Sequence, residues 1–287
     1  MERLQQFFTN NWAIQRHDLE SVVALLAPCV IAGNLQAAED FLQKKELVAK
    51  AVAAPYLAHY WELDDINLPS NAIAVVYLTG MLYAWETDWL IKTIQAAEAN
   101  PAVCGIVLVI DGPGGHVTRI DVAAADIKES TKPVATVVAG SMCSAHYWLG
   151  TCADRVFAVS QLCTVGSVGA MCEYIGMKNY FTNLGIDIRD IYPDGADLKN
   201  EETRALEEGD ESLTKSRLEK VHRIFAETVA ENLGIAYDPT LELFRGRVFS
   251  ADEAVAAGYI DQIGSLADAI TWVLTEATSR QAAQLYN

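Results

Sequence analysis

The chain has 287 residues, 51% apolar and 21% charged, a globular composition with enough length for one large domain or two small ones. Its 38 Asp and Glu against 21 Lys and Arg leave a formal net charge of −17. That balance excludes the basic footprint of a nucleic-acid binder and disfavours adsorption to an anionic membrane.

Residues 1–70 read as a helical N-terminal extension. Its longest apolar run, Val22–Gly33, is broken by Pro28 and falls short of the roughly 20 apolar residues of a membrane span. Glu2, Asp18 and Glu20 outweigh Arg3 and Arg16 ahead of it, against the positive n-region of a signal peptide. The expectation is a buried amphipathic helix from Asp18 to Pro28, with no membrane anchor. Leu63–Asn71, with its cluster of Asp64, Asp65, Asn67, Pro69 and Ser70, reads as a linker.

Residues 71–275 read as an α/β core. Ile73–Leu78, Gly105–Ile110, Val134–Ala139 and Val156–Val159 are short continuous apolar runs, the pattern of parallel strands buried on both faces. Helical patterns alternate with them. Val117, Ile120, Ala124 and Ile127 form one helical stripe, and Leu218, Val221, Phe225 and Val229 form another on a long helix from Leu213 to Leu233. Strands alternating with helices predict βαβ units and a mostly parallel sheet. Residues 276–287 read as a polar, frayed tail. The six cysteines form no C-x-x-C pair and have no His at ligand spacing, so reduced thiols in a reducing compartment are the simplest expectation, with no metal.

Two strand-to-helix turns could carry chemistry. Gly112-Pro113-Gly114-Gly115 follows a buried strand, where ligands bind in parallel sheets and bare backbone N–H groups can hold an oxyanion. No P-loop Lys and no G-x-G-x-x-G spacing accompany it, so nucleotide binding is unsupported. Taken alone, it reads equally well as a tight turn needing positive φ. The second turn, Gly140 to Trp148, offers Ser141, Cys143 and Ser144 as nucleophiles, or a helix start capped by serine.

Together the two turns resemble the Clp-protease/crotonase fold and, more narrowly, peptidase family S49, which includes signal peptide peptidase A and phage head-maturation proteases. Three further stretches are similar to that family: Ala153–Ala158, Thr164–Gly169, and Gly246–Ser250 continuing through Ala254, Gly258, Asp261 and Gly264. The resemblance runs from about Ile73 to Ile270. It implies a core of repeated ββα units and a serine endopeptidase with a Ser-Lys dyad. Ser144 falls at the nucleophile position, and Lys199, among Lys178, Lys199, Lys215 and Lys220, falls where the family motif has its base. The resemblance also implies an oxyanion hole from the N–H groups of Gly115 and Ala145, with Gly114 shaping the turn.

His116 either borders the substrate groove or lies exposed. His146 adjoins the groove and, with His222, is the only histidine after Ser144 for a rival Clp-type triad. The chain departs from the family at Gly112, where Ser is usual, and at Ala145-His146, where Gly-Gly is usual. A Lys base must be largely neutral, which requires burial, here despite Asp197, Glu201 and Glu202 nearby. The implied partners are a peptide or unfolded protein substrate and further copies of the chain in a ring, with phage capsid or portal proteins for the head-protease branch. That places the protein in the cytoplasm or a phage procapsid, with no cofactor. The rivals are a crotonase-like acyl-CoA enzyme and a capsid-associated protein that has lost its activity.

Overall fold

The apolar runs become the centre of one sheet. The computed structural model describes residues 12–14, 36, 48–53, 62–65, 67–176, 178–186 and 189–285. Along the chain these hold β1 (Trp12–Ile14), β2 (Val48–Val52), β3 (Ala72–Thr79), α1 (Ala84–Ala99), β4 (Val103–Gly112), β5 (Gly114–His116), α2 (Ile120–Lys128), β6 (Val134–Cys143) and α3 (Ala145–Gly150). They continue with β7 (Arg155–Ala158), β8 (Thr164–Gly166), α4 (Lys178–Asn183), α5 (Glu201–Glu207), α6 (Ser212–Asn232), a 3₁₀ turn (Glu242–Arg245), β9 (Val248–Ser250), α7 (Ala251–Ala257), β10 (Gln262–Ile263) and α8 (Leu266–Leu285).

The sheet order is β10-β7-β6-β4-β3-β2, with β8 added to β6 and β9 to β8. β3, β4, β6 and β7 run parallel, as their continuous apolar sequences predict, while β2 closes one edge antiparallel to β3. Alternate residues divide the core into two faces. Ile73, Val75, Val107, Val109 and Val137 pack on Ala269, Ile270 and Val273 of α8. Ala74, Val76, Ile106, Leu108 and Val138 share the other face with α1, α2, α3 and the C-terminal half of α6. Trp148 of α3 stacks on Phe225 of α6 at 4.7 Å between ring centres.

Two expectations change. The described residues of the N-terminal extension include two strands, Trp12–Ile14 and Val48–Val52, each paired to the core. These runs are too short to show periodicity in sequence; their pairing partners lie far along the chain. The expected helix from Asp18 to Pro28 lies outside the described residues. At the other end α8 continues past Ser279 to Leu285, and Arg280 fastens that turn by pairing with Asp154 at 2.9 Å and with Glu276 at 3.0 Å.

The described part of the family-like tail is scaffolding for the site. β9 pairs antiparallel with β8, and β8 pairs with Ser141–Cys143 of β6. Asp154 Oδ2 accepts the Val134 N–H at 2.8 Å and Asp261 Oδ2 accepts the Val156 N–H at 2.7 Å, so these carboxylates begin β6 and β7 and are not spare acids.

Candidate active site

The carboxyl ends of β4 and β6 form the site. Their ladder is regular from Ile106↔Val134 to Ile110↔Val138 and then resumes at Gly112↔Met142, so β6 bulges as it approaches Ser144. Asp111 Oδ1 bridges the irregularity by accepting the Ser141 N–H at 2.9 Å. In the sequence only its place directly before the glycine turn points to Asp111.

Ser144 ends β6 and starts α3. It is buried, with φ 54° and ψ −122°, a strained conformation for a residue with a Cβ. Its N–H donates to the Gly166 carbonyl at 2.8 Å, and its Oγ lies 3.5 Å from the Gly169 carbonyl. The Thr164–Gly169 stretch therefore holds the serine turn from its far side. Trp148 N–H donates to the Ser144 carbonyl, and the Tyr147 hydroxyl donates to the Tyr259 carbonyl at 2.9 Å. Burial pushes the Tyr147 phenol far above its ordinary range, so it stays a neutral donor.

The glycine turn sits beside it. Gly114 has φ 111°, a conformation that side-chain-bearing residues avoid. A Cβ on Gly115 would lie 2.0 Å from the Leu82 carbonyl, so only glycine fits there. Leu82 N–H donates to Gly114 O at 2.9 Å, and His116 N–H donates to Leu82 O at 2.8 Å. Strand alternation therefore turns the N–H and C=O of Gly115 to the opposite edge. Along that edge runs β1, antiparallel, with Ala13 opposite Gly115.

Two of the three described histidines are buried and hydrogen-bonded. His116 is buried, not exposed, with Nδ1 3.0 Å from Thr118 Oγ1. His146 is buried with Nδ1 accepting the Gly114 N–H at 3.0 Å. That nitrogen serves the neighbouring turn. His222 lies half-buried on α6, where burial pushes its imidazole below the ordinary range.

Lys199 is not buried within the chain. It lies exposed in the turn before α5, its N–H donating to Ala196 O at 3.1 Å. The nearby acids are partly diverted. Glu202 accepts from Arg217 at 2.6 Å and from Thr214 at 2.8 Å, and Arg217 holds its carboxyl below the usual range. Two rival lysines are engaged: Lys178 pairs with Glu207 at 2.7 Å and Lys215 with Glu211 at 2.8 Å, and each carboxylate raises its lysine's pKa. In the segment that precedes Lys199 the chain exposes Tyr174, Ile175, Tyr180, Leu184, Ile186, Ile191 and Leu198. Among the described residues no group of three His, Cys, Asp or Glu could hold a metal, and no helix is long and apolar enough to cross a membrane.

The family model for peptidase family S49 matches residues 126–280, more than half of the chain. The chain belongs to peptidase family S49. The matched stretch holds Ser144 and Lys199, while the glycine turn at 112–115 precedes it.

Over 75% of its length the chain is 28% identical to the capsid assembly protease C of Escherichia phage lambda, covering 51% of that protein. It is also 28% identical over 73% of its length to the head-tail preconnector protein GP5 of Enterobacteria phage P21, covering 44%. It is 26% identical over 64% to a putative signal peptide peptidase SppA of Enterococcus faecium, covering 56%. The chain thus spans about half the length of these relatives.

Proposed function

We propose that this S49 member is a serine endopeptidase with a Clp-protease/crotonase-like core, in which Ser144 is the nucleophile and Lys199 the base. The observation that carries the reading is Ser144 itself: a buried serine with φ 54° on the turn from β6 into α3, beside a turn that accepts only glycine. Neutral Lys199 Nζ takes the proton from Ser144 Oγ as the oxygen attacks the scissile carbonyl. Once substrate has displaced β1 from the β5 edge, the N–H groups of Gly115 and Ala145 hold the oxyanion. The tetrahedral intermediate collapses, the leaving amine takes the proton from Lys199 and departs, and Lys199, neutral again, then takes a proton from the water that hydrolyses the acyl-enzyme.

Two features support the finer parts. The edge of β5 already accepts an extended backbone, β1, which favours a peptide over an acyl-CoA thioester as substrate. Lys199 is exposed, and the segment that precedes it exposes Tyr174, Ile175, Tyr180, Leu184, Ile186, Ile191 and Leu198, so packing of copies into a homo-oligomeric ring over this segment would supply the desolvation the base requires. The phage head relatives favour processing of capsid or portal proteins in a procapsid over general peptide degradation in the cytoplasm. The test is cleavage of an unfolded protein by the full chain: Ser144→Ala and Lys199→Ala each abolish it. Wild-type turnover by either variant refutes the dyad.

A further inference from the structure

Two departures from the family pattern, Gly112 and His146, meet in space. A Cβ on Gly112 would lie 2.5 Å from His146 Cε1 and 2.9 Å from Nδ1, as well as 2.3 Å from the Gly80 carbonyl. The imidazole therefore occupies the space beside a residue that has no side chain. From there its Nδ1 accepts the Gly114 N–H at 3.0 Å, in a fully buried setting.

This hydrogen bond joins the two turns of the site. Gly114 directly precedes Gly115, and His146 directly follows Ala145, so the bond lies one residue from each expected oxyanion donor. A backbone N–H needs a lone pair to donate to, so Nδ1 carries no proton and the neutral ring is protonated at Nε2. Gly114 is the residue of the turn with a positive φ, and this bond fixes the orientation of its N–H.

We propose that His146 is a positioning residue: its Nδ1 lone pair holds the Gly114 N–H, the Leu82 N–H holds the Gly114 carbonyl, and the two bonds together set the Gly115 N–H relative to that of Ala145. It acts on the oxyanion hole and not as the base, since its Nδ1 is committed to Gly114. The proposal rests on the reading of Ser144 as nucleophile. Aligned donors act on charge that develops in the transition state, so their misalignment lowers kcat and leaves KM nearly unchanged. Loss of a whole donor costs about 10²–10³ in rate; loss of alignment should cost about 10–100-fold.

The experiment compares His146→Leu and His146→Asn in the full chain by steady-state peptide cleavage and thermal melting, with ¹⁵N-histidine spectra of the wild type. Asn can place Oδ1 where Nδ1 stood. The expected result is a kcat lowered about 10–100-fold in His146→Leu with KM within about twofold, recovery to within about fivefold in His146→Asn, and an unprotonated, hydrogen-bonded Nδ1 signal that disappears in His146→Asn. Wild-type kcat in His146→Leu, equal loss of kcat in both variants, or a protonated Nδ1 overturns the proposal. Should His146→Leu fail to fold, the Asn variant and the nitrogen spectrum decide alone: a kcat lowered by more than about fivefold in folded His146→Asn, or a protonated Nδ1, is then the refuting result. Cleavage surviving in Ser144→Ala would remove the reading of Ser144 as nucleophile instead, a different result from a protonated Nδ1, which the spectrum reads without catalysis.

Discussion

Trp148 stacks on Phe225 at 4.7 Å, and this contact ties the helix that begins at Ser144 to the long helix whose other half anchors the Lys199 segment. Phe225 is fully buried. Phe225→Ala should cost about 3–5 kcal/mol, the range for truncating a core aromatic. Denaturant unfolding of the full chain measures it, and a loss under about 1 kcal/mol would show that this junction does not hold the helices together.

Lys199→Arg separates charge from basicity. An arginine keeps the positive charge but cannot be deprotonated in a protein, so it cannot take the Ser144 proton. The variant should be as inactive as Lys199→Ala while melting like the wild type. Retained cleavage would assign the base elsewhere.

Glu202 makes the Lys199 segment sensitive to acid. Its pairing with Arg217 lowers its folded-state pKa from the ordinary 4.5. A depressed carboxyl contributes stability above its unfolded value and loses it as pH falls through the folded one. Limited proteolysis between Leu198 and Ser212 should therefore accelerate below about pH 4.5, and Glu202→Gln should flatten that dependence. The pair is one-third exposed, so the effect should stay under about 1 kcal/mol.

A peptide that adds to the Gly115 edge must displace Trp12–Ile14. Proline at position 13 has no N–H to give the ladder and weakens that strand. Ala13→Pro should lower KM several-fold with kcat little changed, measured on a peptide substrate. An unchanged KM would mean that β1 does not compete with substrate.

Ile191 and Leu198, in the segment that leads into Lys199, are 88% and 68% exposed. If assembly buries the base, Ile191→Asp and Leu198→Asp should lower both the sedimentation coefficient and the cleavage rate. A variant that becomes monomeric yet keeps full activity would separate assembly from catalysis.

Much of the fold was legible because it depends on local pattern. The continuous apolar runs became β3, β4, β6 and β7, and the stripe through Ile120, Ala124 and Ile127 became α2. The Phe225–Val229 half of the long helix is buried as its period predicts, whereas Leu218 and Val221 are only partly covered. β1 and β2 were not legible, since three- and five-residue strands acquire their identity from partners at Gly114–His116 and Ile73–Tyr77.

The sequence by itself determined the glycine turn, the serine turn and the kinship with peptidase family S49, because each is carried by residues close together in the chain. Only the tertiary structure decided what surrounds them. It buried His146 on the Gly114 amide, left Lys199 in water, and laid Ala13 against Gly115. Desolvation and hydrogen-bond partnership are set by which distant segments come into contact, and neither motif spacing nor hydrophobic period carries that information.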